Sequence, residues 1–176
     1  DSEKAAARKE AGTLVYSTFV QMNEGKIPDS ASIVIASGTE LDLSVQEWQA
    51  VKTFGGYFGT SDGTPVVIDG LKLTTSTKYS QTYAMKGKDS KYFFTGFIGV
   101  LYGKATVENL TFKNINIQEP ASDYTPDYAK GQNSRNTVGI IGGIIPDPSG
   151  KENSVEVLIN NITVDNSCSI VGHSTV

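Results

Sequence analysis

Two glycine-flanked apolar tetrads, each ahead of an alternating apolar segment, constrain this chain more than any other feature. Gly96-Phe97-Ile98-Gly99 leads into residues 107–117, and Gly139-Ile140-Ile141-Gly142 leads into residues 157–164. Ser169-Ile170-Val171-Gly172 reads as the opening of a third copy. Upstream, Val66-Val67-Ile68-Asp69-Gly70-Leu71-Lys72-Leu73 aligns without a gap to the segment that starts at Thr106. A β-repeat cannot bury its apolar face alone, so repetition requires each unit to stack on a neighbour. The same property weakens functional deduction, because stacked β-repeats are scaffolds for many activities.

Alternation turns the repeat into a geometric expectation. One unit, residues 96–117, is about 22 residues long and divides into strands at 96–101, 105–112 and 115–117. Phe97, Val107, Leu110, Phe112, Ile115 and Ile117 are expected inward, each on its counterpart one unit away. Glu108, Thr111 and Lys113 are expected outward. Lys113-Asn114 and Asn160-Asn161 are expected at corners, where asparagine tolerates left-handed backbone. Insertions at residues 75–92 and 118–137 leave after equivalent strands and are expected to lie together on one side. A shorter one, residues 146–153, leaves elsewhere. Long loops on a rigid scaffold are where function is usually carried.

Only residues 2–24 read as helical. Ala5, Ala6, Ala7, Arg8, Lys9 and Glu10 favour helix, and Val15, Phe19 and Met22 make one apolar face. Ser2 with Glu3 is the expected start and Gly25 the stop. Gly12 and the β-branched residues after it predict a break there, with a strand at residues 13–20 as the alternative.

The order of motifs from Ile33 onward adds a resemblance. Leu41-Asp42-Leu43-Ser44, then Trp48, then Phe54-Gly55-Gly56-Tyr57-Phe58-Gly59, then Asp62-Gly63 and Ile68-Asp69-Gly70-Leu71-Lys72-Leu73 resemble the opening of right-handed parallel β-helix domains. Such domains occur in bacterial surface and secreted proteins, many with glycine–apolar–glycine (GLUG-like) repeats. The wider superfamily holds pectate lyases and polygalacturonases beside many non-enzymes. The resemblance covers residues 33–176. It implies an all-β fold, a single-stranded right-handed parallel β-helix at residues 31–176 with an N-terminal helical cap at residues 1–30. Right-handed crossover is also the expected chirality of parallel strands. An open end of such a stack predicts either a longer protein or an end-to-end contact between copies.

Composition narrows the function classes. Net charge is −4 and only Arg8 and Arg135 are arginines, which argues against nucleic acid as partner. No apolar run reaches the roughly 20 residues that span a bilayer. The opening Asp1-Ser2-Glu3-Lys4 reads as a mature or trimmed start, so export is not directly legible. The single cysteine, Cys168, reads as a small buried hydrophobe.

Candidate site residues lie in the long insertions. Tyr79, Tyr83 and Tyr92 belong to the first, Tyr124 and Tyr128 to the second. Tyrosine offers an apolar face and a hydroxyl, which suits sugar rings; the alternative is that these rings pin loops to the scaffold. Asp123 and Asp127, with Glu119 nearby, have the chemistry of Ca²⁺ ligands or of a glycosidase acid–base pair, or belong to a solvated loop. His173 reads as a turn residue. Neither a cofactor nor a resident metal is expected: phosphate-binding glycine loops, Cys/His spacings and nucleophile elbows are missing from the sequence. The resemblance implies a non-catalytic extracellular or cell-surface module of a bacterium, serving adhesion or glycan binding. Its expected partner is a glycan or a host or cell-surface protein. The alternative is a polysaccharide lyase or glycoside hydrolase of the same fold.

Overall fold

The computed structural model describes residues 1–74, 79–85, 88–119, 127–130, 134–146 and 155–172; the side chains at 79–85, 88–91, 128 and 134 lie outside that description. Helix α1, Ser2–Asn23, runs unbroken. Asp1 stands at its N-cap, and Gly25, at φ +73°, closes it by donating its N–H to the Met22 carbonyl at 3.0 Å. Neither a break at Gly12 nor a strand at residues 13–20 forms. A Cβ at Gly12 would fall 2.1 Å from the Asp42 carbonyl oxygen, so this glycine is where the helix lies directly on strand backbone. Close packing there outweighs the propensity lost, about 1 kcal/mol.

Strands follow in four passes. The first holds β1 (Ser32–Val34) and β2 (Glu40–Asp42), then bridging residues Glu47, Val51 and Phe54. The second holds β3 (Tyr57–Gly59), β4 (Val66–Asp69), β5 (Lys72–Leu73), the hairpin β6 (Tyr79–Met85) and β7 (Lys88–Thr95), and β8 (Ile98–Tyr102). The third holds β9 (Thr106–Lys113), β10 (Asn116–Gln118), a 3-10 turn (Tyr128–Lys130), β11 (Ser134–Val138) and β12 (Ile141–Ile145). The fourth holds β13 (Leu158–Val164) and β14 (Ser169–Val171). The protein is thus mostly β, in parallel sheets, with one N-terminal helix.

Pairings between passes are parallel, and they align residues into columns. Ile33, Phe58, Val107 and Ile159 form one column, and Leu41, Ile68, Phe112 and Val164 a second. Leu73, Ile117 and Ile170 form a third, and Val51, Ile98 and Ile141 a fourth. The six residues expected inward are buried to within 1%. At the fourth column a Cβ on Gly96 would meet the Gly139 carbonyl at 2.5 Å, and one on Gly142 the Gly99 carbonyl at 2.6 Å. The glycine-flanked tetrads therefore recur because successive passes touch there backbone to backbone.

Phe19 of α1 enters the same core. Its ring lies 5.4–5.9 Å from those of Trp48, Phe54, Phe58 and Phe97. Phe97 stacks on Trp48 at 5.0 Å, and the Trp48 Nε1–H donates to the Phe97 carbonyl at 2.9 Å. The indole is thereby fully buried with its polar atom satisfied.

Several expectations are corrected. Val66 pairs with Leu110, not with Thr106, four residues from the gapless alignment. The cause lies between columns: residues 60–65 separate β3 from β4, while the single residue Asn109 does so within β9. Ser169–Val171 pairs with β10, a different column from the glycine-flanked tetrads, so it is not a third copy of them. Asn114 does sit at a corner with φ +52°, but Asn161 (φ +50°) is a kink within β13, level with Asn109 (φ +57°). Cys168 is half-buried; it packs on the core from the last pass, with Sγ 3.3 Å from the Phe112 carbonyl.

Gly12→Ala should destabilise the fold by about 1–3 kcal/mol in denaturant titration, because the added methyl meets backbone that cannot rotate away. The gain that alanine gives in an unhindered helix would contradict the close approach described here.

Candidate functional site

Both long insertions begin beside one another, since β5 pairs with β10 with Asn116 opposite Lys72. Residues 75–92, read from sequence as a loop, are in part strand: β6 pairs antiparallel with β7, with Tyr79 opposite Phe94, Gln81 opposite Tyr92 and Tyr83 opposite Ser90. On its other edge β7 pairs in parallel with β11, which brings Tyr92 level with Arg135 and Phe94 level with Thr137. A three-stranded sheet β6-β7-β11 thus stands outside the columns. Strand alternation puts positions 79, 81, 83, 92, 94, 135 and 137 on one side of it.

That sheet is anchored through Phe94, which forms a small buried cluster with Val100 and Ile145. Tyr92 and Tyr102 pack against this cluster. Tyr102 in turn donates its hydroxyl to Asp29 at 2.6 Å, and Asp29 also accepts from the Thr53 hydroxyl at 2.5 Å. Arg135 is exposed.

The structure brings Tyr79, Tyr83 and Tyr92 together by register, two in β6 and one in β7. Tyr128 opens the 3-10 turn. Asp127 closes that turn, accepting the Lys130 N–H and lying 3.1 Å from the Lys130 ammonium. Asp123 and Tyr124 lie outside the described residues, as does His173. Glu119 is buried, with its N–H donating to the Val171 carbonyl at 2.8 Å, so it stands apart from a solvated acidic loop. Sequence reasoning missed Arg135 as a neighbour of Tyr92. No local pattern signals it, because the neighbourhood arises from the parallel pairing of β7 with β11 across 43 residues.

A second set of polar groups runs along the corner after β2, β4, β9 and β13. Asp42 accepts the Ser44 hydroxyl at 2.5 Å and the Ser44 N–H at 2.9 Å, and the hydroxyl in particular holds its carboxyl below the usual range. Asp69 accepts from Arg8 and from the Asn114 amide, both at 2.8 Å. Asp165 accepts the Ser167 hydroxyl and N–H, which lower its pKa in the same way. Arg8 also reaches Glu40 at 3.0 Å, beside an open 340 Å³ groove between α1 and residues 38–40. These carboxylates fasten turns and the helix. Among the described residues no group of three or more His, Cys, Asp or Glu side chains is placed to hold a metal ion.

Comparisons with protein-family models, with curated proteins and with solved structures returned no match.

The Tyr57 hydroxyl, on the outer face of β3, shares its one proton between two acceptors, Glu108 Oε1 at 2.9 Å and the Thr60 carbonyl at 2.7 Å. Burial, then the Glu108 carboxylate, push its pKa up from 10.0 to about 12. The neutral phenol is therefore the form that the fold favours. Its contribution is whole below pH 10 and is lost as pH climbs toward 12, because the unfolded chain gives up its proton first. Tyr57→Phe should flatten the fall in stability across that window; an unchanged slope would contradict the assignment.

Proposed function

We propose that this chain is a right-handed parallel β-helix module of a bacterial surface or secreted protein, and that it binds glycans rather than catalysing a reaction. The parallel pairing of β7 with β11 carries the reading, because it joins the two long insertions into one lateral sheet. Four passes whose counterparts pair in parallel support the coiled architecture, and right-handed crossover is the rule for such connections. Positions 79, 83 and 92 supply tyrosines and position 135 an arginine on one side of that sheet. Aromatic faces stack on the C–H faces of sugars, while phenol and guanidinium groups meet hydroxyls and carboxylates. The second insertion adds Tyr124, Tyr128, Asp123 and Asp127 from its own sequence. The glycan is free or carried on a host or cell-surface protein.

Binding is favoured over lyase or hydrolase chemistry by the state of the strand carboxylates. A catalytic pair needs acids converging on substrate with protons to exchange. Asp42 and Asp165 are instead bound by their own turns, and Asp69 by Arg8 and Asn114.

A glycan array tests this directly. The parent should retain a defined glycan class, and Tyr83→Ala or Tyr92→Ala should weaken it by about tenfold. No retained glycan, or silent tyrosine variants including Tyr124→Ala and Tyr128→Ala, would overturn the reading. Release of reducing ends from a polysaccharide would replace it with the enzymatic one.

A further inference from the structure

β6 is the outer strand of the lateral sheet, and among the described residues it pairs only with β7. Its seven residues match β7 one for one, so no bulge turns the outer edge aside. Tyr79-Ser80-Gln81-Thr82-Tyr83-Ala84-Met85 holds neither a charge nor a proline. Shortness, charge, proline and bulges are the usual devices that stop an edge strand from pairing with another chain, and β6 has none of them. Lysines stand outside the strand instead: Lys78 directly before it, Lys86 directly after it, and Lys88 at the start of β7. The strand also reads nearly alike in both directions about Gln81. Tyrosines lie two residues to either side, and the hydroxyl residues Ser80 and Thr82 lie between.

We infer that β6 is the interface for a second copy of this chain, the two β6 strands running antiparallel about a two-fold axis at Gln81. In that register Tyr79 stands opposite Tyr83 twice, Ser80 opposite Thr82 twice, and Gln81 opposite its own counterpart. Aromatic pairs and hydroxyl pairs are combinations that stabilise an antiparallel ladder, and facing amides are both donors and acceptors. Charge selects the same register. In-register parallel strands would set Lys78 on Lys78 and Lys86 on Lys86. An axis at Thr82 sets Lys78 opposite Lys86, and one at Tyr83 sets it opposite Lys88. Like charges directly opposite are destabilising. The axis at Gln81 sets Lys78 opposite Ala84 and avoids both, while axes at Ser80 or Ala84 overlap only three residues of the strand. Such an interface uses one patch on both copies and closes, which makes a dimer and not a fibre. An axis perpendicular to the sheet keeps each face on its own side. The row through it runs Arg135, Tyr92 and Gln81, then the same positions of the second copy in reverse. The inference rests on strand pairing and residue order and is independent of glycan binding.

Sedimentation of the whole chain at about 100 µM should give twice the monomer mass. Gln81→Lys sets two ammonium groups face to face at the axis. It should weaken self-association by about tenfold or more and leave the near-ultraviolet signal of Trp48 intact. A cysteine pair decides the register without relying on that variant. Gln81→Cys in a Cys168→Ser background should close an intermolecular disulfide on mild oxidation, since opposed Cα atoms lie within its range. Thr82→Cys in the same background should stay unlinked, because its two copies are offset along the strands. A parent that sediments as a monomer, a dimer that survives Gln81→Lys, failure of Gln81→Cys to link, or linkage at Thr82→Cys in preference to it would overturn the proposal.

Discussion

Phe19 is the contact on which the rest of the structure depends. Parallel columns bury residues only against the pass above and the pass below, so the first pass needs something that is not a strand to cover it. The helix supplies a phenyl ring that touches Trp48, Phe54, Phe58 and Phe97 at once. Those four come from the first two passes, and Phe97 extends the contact to Phe112 in the third at 5.6 Å. Two further features hold the helix at that distance. Gly12 lets the helix backbone rest on Asp42, and Arg8 ties it to Glu40 and Asp69 in successive passes. Burying a Phe side chain contributes roughly 1.5–3 kcal/mol, and edge-to-face ring contacts add to it. The partly exposed ion pairs fix orientation more than they add stability.

Because register is carried by the columns, segments between columns are free to vary. Residues 60–65 and Asn109 occupy equivalent places, and the flanking strands still pair. The same tolerance admits the β6–β7 hairpin between β5 and β8 without disturbing either. A lateral sheet therefore costs the core nothing beyond an anchor, and Phe94 with Val100 and Ile145 is that anchor. A rigid interior is thus kept separate from a variable side.

Much of the interior was legible in the sequence. Apolar character with local alternation picked out Phe97, Val107, Leu110, Phe112, Ile115 and Ile117, although the period of two is interrupted at Asn109 and again at the Asn114 corner. The match of the two glycine-flanked tetrads was legible too, and Ile98 does pair with Ile141. Register across unequal passes was not, because one asparagine can replace a six-residue excursion without leaving a compositional trace. The continuity of α1 was hidden for a related reason: Gly12 reads as a breaker locally and acts as a contact only when Asp42 is in place. Of the candidate site, the nearness of the two insertions followed from their equivalent exits. The strand character of residues 79–85 and 88–95 and the neighbourhood of Arg135 needed the pairings of β6, β7 and β11 to be seen.

The central claim is parallel stacking in the register that places Val67 beside Thr111. Val67→Cys with Thr111→Cys, in a Cys168→Ser background, measures it, since both positions face outward in adjacent strands and neighbouring Cα atoms fall within disulfide range. Mild oxidation should close this bond rapidly and leave the chain folded. Failure of that pair to link, with ready linkage of Val67→Cys to Val107→Cys instead, would contradict the account.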